Sequence, residues 1–314
     1  MDSTVLERIR QNDHRVLSRV ISQIENNGDI PENFFVELYP YTNKALRIGV
    51  TGPPGAGKST LVDKLIGEFL KHEQSVGVVA VDPTSPFTGG ALLGDRVRMN
   101  RYSWNDNVFI RSMGSHGDLG GLARKAQDVG DVLAASGKQV VIFETVGVGQ
   151  GEHDIMKAVD VTVVVLTPES GDDIQLMKAG LIEIADIFVI NKSDREGAGR
   201  LSQVLRNLLH TFNKEDKPEP PVMNTVATTG EGIPEFYGGL MEHLDRMRES
   251  GMLEKKYLQR HRNRILTLIQ DKLLTEFWTS NRLKQLEEAT RNVDSVKASP
   301  HEIAWALVKT TPHD

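Results

Sequence analysis

Short apolar segments alternate with amphipathic helical patterns from about residue 45 to residue 250 of this chain. Several of the apolar segments are continuous in Val and Ile, as in strands of a parallel sheet whose two faces are both covered. The predicted strands are 45–51, 76–81, 108–113, 139–144, 161–167, 187–191 and 222–227. The predicted helices lie at about 58–71, 92–101, 121–136, 172–184, 198–211 and 233–249. This alternation predicts an α/β fold with a doubly wound, mainly parallel sheet.

Both ends of the chain carry helical patterns without a strand pattern. Near the N-terminus, apolar residues recur at helical spacing from Val16 to Ile24, and Asn26-Asn27-Gly28 ends that helix. A second short helix is predicted to begin at Pro31 and to end before Pro40. We therefore divide the chain into an N-terminal helical extension, a sheet domain and a C-terminal helical region, over residues 1–43, 44–250 and 251–314.

The C-terminal region is predicted to contain one long helix with an apolar stripe from Tyr257 to Phe277. A capping box with Pro at the first helical position, Ser299-Pro300-His301-Glu302, predicts that another helix begins there. The stripe could cover the sheet domain of its own chain or pack against a second copy. The dense apolar patch of Leu273, Leu274, Phe277 and Trp278 favours a homodimer.

The composition excludes several classes of function. The chain has 314 residues, a net charge of −6 and no Cys, which excludes disulfides, thiolate nucleophiles and Cys-ligated zinc. The acidic balance does not favour nucleic acid or an anionic membrane as a partner. No apolar run reaches the roughly 18 residues of a membrane span, and the first residues lack the apolar core of a signal peptide. We expect a cytoplasmic protein without a membrane or nucleic-acid partner.

A phosphate-binding loop follows the first predicted strand. Residues 52–59 match G-x-x-x-x-G-K-[ST], and the flanking strand and helix disfavour the alternative of an incidental glycine-rich turn. Backbone N–H groups of such a loop cradle phosphates, Lys58 reaches the β- and γ-phosphates, and Ser59 places its hydroxyl on Mg²⁺. The predicted phosphate-binding residues are Gly52, Pro53, Pro54, Gly55, Ala56, Gly57, Lys58, Ser59 and Thr60.

A second motif identifies the base. Asn191-Lys192-Ser193-Asp194 follows an apolar strand, and the Asp194 carboxylate can accept hydrogen bonds from N1–H and the exocyclic amine of guanine. Adenine has an acceptor at N1 and no amine at C2, so it would leave this carboxylate unpaired. The sequence therefore predicts GTP and GDP as ligands, with Mg²⁺. The predicted base-side residues are Asn191, Lys192, Asp194, Val226, Ala227 and Thr228.

Carboxylates near the ends of other strands are candidates for the Mg²⁺ sphere. Glu144 ends a strand at a position that is Asp in most P-loop relatives, although such a residue could also merely cap a helix. Asp82 ends another strand. Asp95 lies in a glycine-containing segment, 83–95, that could order around a triphosphate, but a helix N-cap role is equally open for it. The predicted metal-binding residues are thus Ser59, Asp82, Asp95 and Glu144.

The same strand ends supply the predicted catalytic set. Gly147 is a candidate for the backbone N–H that senses the γ-phosphate. Val148 stands where activatable small GTPases have the Gln that positions the attacking water, so we expect slow intrinsic hydrolysis and stimulation by a partner. The predicted catalytic residues are Lys58, Asp82, Asp95, Glu144 and Gly147.

Four segments together resemble one family, the methylmalonyl-CoA mutase-associated GTPases, which include MeaB, its human counterpart MMAA and ArgK-type proteins. The resemblance covers nearly the whole chain, and the segments that carry it are 52–60, 81–96, 144–150 and 191–194. It implies a homodimeric P-loop GTPase chaperone. The partner would be a cobalamin-dependent acyl-CoA mutase of the methylmalonyl-CoA mutase type, whose loading with adenosylcobalamin the chaperone gates and which it protects or reactivates.

The resemblance also implies residue roles that the pattern alone would not give. It places Asp82, Asp95 and Glu144 around Mg²⁺ and identifies 171–178 as a further switch, in which Gln175 and Lys178 signal to the mutase. Without the resemblance, both would be ordinary surface residues of a helix. His116 stands where the family usually has Arg, which leaves the identity of the mutase open.

Two other functions are weighed against this one. An ATP-dependent kinase of a periplasmic amino-acid transport protein is disfavoured by the guanine motif. A GTPase that inserts a metal ion into another protein would need a metal-binding segment, whereas this chain has no Cys and its nine His residues are scattered.

Overall fold

The computed structural model of this chain describes most of its residues in two compact units, Met1–Arg260 and His261–Asp314. The described residues are 3–31, 33–82, 100–102, 104–114, 119–145, 147, 154–170, 181–212, 219–293 and 296–309.

A seven-stranded parallel sheet forms the centre of the first unit, which confirms the predicted fold class. Its order is β3-β2-β4-β1-β5-β6-β7, and every neighbouring pair is parallel. The strands are β1 Leu46–Thr51, β2 Val76–Asp82, β3 Val108–Gly114, β4 Val140–Thr145, β5 Val161–Leu166, β6 Ile187–Asn191 and β7 Val222–Thr225. Each begins or ends within two residues of its predicted boundary.

Helices cover both faces of this sheet. In the first unit they are α1 Ser3–Arg10, α2 His14–Glu25, α3 Asn33–Leu38, α4 Lys58–Lys71, α5 Leu119–Ala135, α6 Leu181–Ile184, α7 Ala198–Phe212 and α8 Ile233–Glu249. The helix α9, Met252–Phe277, begins in this unit. Helix α1 was not predicted. Of the predicted helix 92–101, only the last two residues are described, and they belong to a short 3₁₀ helix, Asn100–Tyr102. Of the predicted helix 172–184, only 181–184 is described.

Alternate strand positions enter separate cores, as the two-residue period of a strand requires. Val141 and Phe143 of β4 are fully buried in a core formed with α2 and α5. Val140 and Ile142 of the same strand are fully buried in a second core formed with α4 and α8. A third core lies between α7 and the strands β5 and β6. Because both faces are covered, β4, β5 and β6 are buried at every residue and are almost continuously apolar.

The N-terminal helices pack on the sheet through the predicted apolar stripe. Leu17 and Ile21 of α2 are fully buried in the core shared with α5. The Asp13 carboxylate caps α2 by accepting hydrogen bonds from the Arg15 and Val16 N–H groups at 3.0 and 3.1 Å. An ion pair between Arg111 of β3 and Glu25 joins the end of α2 to the edge of the sheet.

The first turns of α9 are held at the amino-terminal edge of the sheet by two ion pairs. Lys256 pairs with Asp186, which precedes β6, and Arg260 pairs with Asp160, which precedes β5. The Asp160 carboxylate also accepts a hydrogen bond of 2.9 Å from the Arg47 N–H of β1. The start of α9 is therefore paired with residues that precede β5 and β6, and one of these, Asp160, also bonds to β1.

The second unit is helical, as predicted. It contains the rest of α9, then α10 Ser280–Ala289 and α11 Pro300–Lys309. The capping box is confirmed, because Ser299 N–H donates to Glu302 Oε2 at 2.8 Å and Glu302 N–H donates to Ser299 Oγ at 3.2 Å. Helix α10 was not predicted.

Over the described residues of both units, helices with the length and apolar character of a membrane span are absent.

Candidate nucleotide-binding site

The predicted phosphate loop lies at the carboxyl edge of the sheet, between β1 and α4. Strand β1 lies between β4 and β5. Strands β2 to β4 lie on one side of β1 and strands β5 to β7 lie on the other, so the strand order reverses direction at β1. Ligands of open parallel sheets bind in the crevice at such a switch point. Helix α4 begins at Lys58, directly after the glycines, and directs its first N–H groups at the crevice.

Two glycines of the loop have no room for a side chain. Gly52 has φ +142°, and a Cβ there would lie 2.1 Å from the Val165 carbonyl oxygen. Gly57 has φ +86°, and a Cβ there would lie 2.3 Å from Nδ2 of Asn191. Gly55 also has a positive φ, +76°, but a Cβ there would meet open space. The loop therefore passes close to β5 and to the end of β6 while its middle faces outward.

Lys58 lies across this loop. Its Nζ donates hydrogen bonds to the carbonyl oxygens of Gly52 at 2.8 Å and Pro53 at 2.9 Å. The residue is only 5% exposed. The Lys58 ammonium group is thus held at the opening of the loop, where β- and γ-phosphates bind in proteins with a P-loop.

Asn191, the first residue of the base motif, joins three segments. Its Nδ2 donates to the Ala56 carbonyl at 2.9 Å, and its Oδ1 accepts from the Ala227 N–H at 3.0 Å. The Thr225 hydroxyl donates to the same Oδ1 at 3.2 Å. Because Asn191 is 2% exposed, these bonds form in a dry environment, where leaving one unmade is costly. The phosphate loop and both base-side loops are therefore fixed to one side chain.

The other predicted base residues lie on two neighbouring loops. Asn191 of β6 pairs with Thr225 of β7, so the turn after Asn191 and the turn after Thr225 leave the same edge of the sheet. Lys192 adopts a left-handed conformation with φ +56°. Asp194 and Thr228 are exposed, whereas Val226 and Ala227 are buried. The structure thus places an exposed carboxylate beside a loop whose backbone is held by Asn191.

An ion pair that was not predicted lies next to this turn. Arg195 pairs with Glu169, which belongs to the short 3₁₀ helix Pro168–Ser170 after β5. The hydrogen bond from Arg195 lowers the pKa of the Glu169 carboxyl to about 2. Both side chains are about half exposed, so their attraction is screened by solvent. The pair ties the base turn to the end of β5.

The predicted Mg²⁺ ligands Ser59 and Glu144 come together. The Ser59 hydroxyl donates a hydrogen bond of 2.5 Å to Oε1 of Glu144. Glu144 is 4% exposed and sits opposite Val50 in the pairing of β4 with β1. A hydroxyl and a carboxylate are oxygen ligands of the kind that Mg²⁺ prefers, alongside phosphate and water. The donor set therefore fits the ion.

The remaining predicted residues are placed only in part. Asp82 ends β2 at the same sheet edge, one residue beyond the pair Val81 and Thr145, while its side chain lies outside the described residues. Also outside them lie Asp95, His116, Val148, Gln175 and Lys178. In the portion of the chain that is described, groups of three or more His, Asp or Glu side chains able to hold a metal ion are absent.

Two threonines in the site were missed by sequence reasoning. The Thr51 hydroxyl donates to the Gly147 carbonyl at 3.0 Å. The Thr145 hydroxyl lies 2.9 Å from the Thr51 hydroxyl and 3.2 Å from the same carbonyl. Both residues end central strands and are almost fully buried. A polar residue that ends an otherwise apolar strand was the available signal. These bonds fix Gly147, whose predicted N–H contact with the γ-phosphate stays a prediction.

One protein family matches most of this chain. The family model described as methylmalonyl Co-A mutase-associated GTPase MeaB matches residues 17–282. A protein of Pyrococcus abyssi that is named as a GTPase is 45% identical over 313 residues, which cover 98% of this chain and 96% of that protein.

Two further relatives widen the comparison. The mouse methylmalonic aciduria type A homolog, a mitochondrial protein, is 36% identical over 269 residues, covering 84% of this chain and 65% of that protein. The crystal structure of an LAO/AO transport system kinase superposes with a TM-score of 0.72 at 24% identity, covering 98% of both chains. At that identity the superposition supports the fold alone.

Proposed function

Because this chain belongs to the MeaB family of methylmalonyl-CoA mutase-associated GTPases, we propose that it is a chaperone of a cobalamin-dependent acyl-CoA mutase. Membership of the family makes the chain a GTPase that binds guanine nucleotides. The proposal adds that GTP hydrolysis gates the loading of adenosylcobalamin and protects or reactivates the mutase. The observation that carries it is the match of the family model over the sheet unit and the start of the second unit.

Different side chains of this chain would bind different parts of GTP. Lys58 and the first N–H groups of α4 would bind the β- and γ-phosphates, and Asp194 would accept hydrogen bonds from the guanine edge. Ser59 and Glu144 would hold Mg²⁺, with Asp82 and Asp95 as further ligands. When bound, Mg²⁺ neutralises charge on the phosphate oxygens.

The proposed dependence of GTP hydrolysis on a partner follows from the residues expected beside the γ-phosphate. Gly147 is fixed by two threonine hydroxyls, and the next residue is Val148, which cannot orient water. Hydrolysis by the chain alone would therefore be slow. The mutase would supply or rearrange the missing group, and Gln175 and Lys178 would report the nucleotide state to it.

The proposed homodimer rests on the exposed apolar face of the second unit. Leu273, Leu274 and Trp278 of this unit are 60%, 55% and 37% exposed. Apolar patches of this kind on a soluble protein mark interaction sites. We assign this patch to a second copy of the chain. The proposed location is the cytoplasm.

The experiment that tests the proposal measures GTP turnover with and without a purified cobalamin-dependent methylmalonyl-CoA mutase. The expected result is a complex of the two proteins by size-exclusion chromatography and a rise in turnover of about tenfold or more. The variant Lys58→Ala should hydrolyse no GTP with or without the mutase, and it controls for contaminating GTPases. A chain that hydrolyses GTP at the same rate with the mutase, and forms no complex with it, would refute the chaperone role while leaving the GTPase intact.

A further inference from the structure

Two threonine hydroxyls are buried side by side at the carboxyl edge of the sheet. Thr51 ends β1 and Thr145 ends β4, and the two residues are 1% and 0% exposed. Their strands are parallel, with Val50 opposite Glu144, so the next residue of each strand is a neighbour of the other. The two hydroxyl oxygens lie 2.9 Å apart. Buried hydroxyls of this kind need hydrogen-bond partners.

Both hydroxyls reach one backbone carbonyl, that of Gly147. The Thr51 hydroxyl donates to this carbonyl oxygen at 3.0 Å, and the Thr145 hydroxyl lies 3.2 Å from the same oxygen. A hydroxyl has a single proton. Because the Thr51 proton goes to the carbonyl, the Thr145 proton is shared between the Thr51 oxygen and that carbonyl. A chain of hydrogen bonds in a dry environment strengthens each of its members.

Thr51 is joined directly to a fixed part of the phosphate loop. The next residue, Gly52, has no room to move towards β5, since a Cβ on it would lie 2.1 Å from the Val165 carbonyl oxygen. Its own carbonyl accepts a hydrogen bond of 2.8 Å from Nζ of Lys58. Gly147 is therefore bonded to the strand end from which the phosphate loop starts.

Thr145 has a corresponding place on β4. The residue before it, Glu144, accepts a hydrogen bond of 2.5 Å from the Ser59 hydroxyl at the start of α4. Successive side chains of a strand point to opposite faces of the sheet. The end of β4 thus contacts α4 on one face and holds Gly147 through Thr145 on the other. Gly147 is held by two strands, each of which also carries a contact of the nucleotide site.

We infer that Thr51 and Thr145 are positioning residues that fix Gly147 beside the phosphate loop and thereby favour GTP over GDP. The inference rests on the proposed contact between the Gly147 N–H and the γ-phosphate, a group that GDP lacks. A backbone N–H that is already held in place does not have to be ordered when GTP binds. Without the hydroxyls, GTP binding would have to order Gly147, whereas GDP binding would be unaffected.

The test measures dissociation constants of GDP and of a non-hydrolysable GTP analogue, with Mg²⁺, for Thr51→Val and Thr145→Val in the 314-residue chain. Each substitution should weaken the analogue about fivefold and GDP less than about twofold, since one hydrogen bond to Gly147 is lost. Thr145→Ser keeps the hydroxyl and should retain most of the preference. The double substitution should resemble a single one, because both hydroxyls act on the same carbonyl.

The matched control is Thr162→Val, which removes the hydroxyl of another buried strand threonine. Thr162 is 3% exposed and lies opposite Gly49 in the pairing of β5 with β1. If Thr51→Val and Thr145→Val give the same ratio of the two dissociation constants as this control, or weaken GDP as much as the analogue, the inference is wrong. Tighter binding of the analogue would also overturn it, because the hydroxyls would then hold Gly147 away from the γ-phosphate. Each single substitution is an independent test, so one folded variant suffices.

Gly147→Ala separates a failure of this inference from a failure of the proposed γ-phosphate contact. If Gly147→Ala weakens the analogue and GDP equally, the contact is refuted and the inference with it. If Gly147→Ala weakens the analogue selectively while neither valine substitution does, the contact stands and only the role of the threonines is refuted. The mutase is not used in these measurements, so their outcome leaves the proposed chaperone role untouched.

Discussion

The Asn191 side chain donates a hydrogen bond of 2.9 Å to the Ala56 carbonyl, although the two residues are 135 positions apart. It thereby connects the phosphate loop to the base motif. We predict that Asn191→Ala lowers GDP affinity by about tenfold to a hundredfold and the free energy of unfolding by about 1–3 kcal/mol, because buried partners lose their hydrogen bonds. Isothermal titration with GDP and urea denaturation measure the two effects.

Asn207→Ala is the control for this substitution, because Asn207 is an exposed residue of α7. It should leave both quantities nearly unchanged. An Asn191→Ala variant that binds GDP as tightly as the control would show that the connection has no part in binding.

The glycines of the phosphate loop differ in what they tolerate. We predict that Gly52→Ala abolishes nucleotide binding, because its Cβ would lie 2.1 Å from the Val165 carbonyl oxygen and backbone must move. Gly55→Ala meets open space and carries only the strain of its positive φ, about 1 kcal/mol. Binding of a fluorescent GDP analogue to both variants checks this, and equal losses in the two would contradict the geometry.

The burial of Lys138 predicts that the free energy of unfolding depends on pH. Lys138 is 3% exposed and donates to the Asp106 carbonyl at 2.7 Å, and burial lowers its pKa from 10.5 to about 8. Between pH 8 and 10.5 the unfolded chain binds more protons at this lysine than the folded chain does. Stability from this group therefore rises with pH in that window.

The measurement compares the unmodified chain with Lys138→Met by urea denaturation at pH 8 and pH 10. The difference in free energy of unfolding, unmodified minus variant, should increase by about 2 kcal/mol over this interval. Lys284→Met, at an exposed position of α10, measures the effect of removing a surface lysine. A difference that stays constant or falls with rising pH would show that Lys138 is not held in this environment.

The apolar patch on α9 predicts a change of oligomeric state. Leu273→Glu together with Leu274→Glu should convert a dimer to a monomer, because two buried charges at an interface cost several kcal/mol. Val36→Glu replaces a more exposed apolar residue, 72% exposed, in the first unit and should leave the dimer intact. Sedimentation of the three proteins tests this, and a doubly substituted chain that stays dimeric would place the interface elsewhere.

The sequence predicted the sheet well because its inner strands are buried on both faces. All residues of β4, β5 and β6 are buried, so continuous apolar runs were reliable signals. Helices α1 and α10 were missed. In α1 most of the residues are exposed or half-buried, and in α10 only Arg282 is buried, so neither shows a strong apolar stripe.

Contacts in the site could be predicted where a short sequence motif determines the positions of its own residues. Ser59 and Glu144 were expected to share an ion, and they lie in contact. The connection of Asn191 to Ala56 and Ala227 could not be predicted, because it depends on the register of β1, β6 and β7 at one sheet edge. Thr51 and Thr145 could be noticed as polar residues that end apolar strands, but their contacts with each other and with Gly147 depend on the alignment of β1 with β4.

The central claim is that Asp194 recognises guanine while the loop at Gly52–Ser59 binds its phosphates. The most direct measurement compares the dissociation constants of GDP and ADP for the unmodified chain and for Asp194→Ala. We predict that the unmodified chain prefers GDP by about a hundredfold or more, roughly 2.8 kcal/mol, and that Asp194→Ala loses most of this preference. Equal affinity of the unmodified chain for GDP and ADP, or a preference that survives Asp194→Ala, would contradict the claim.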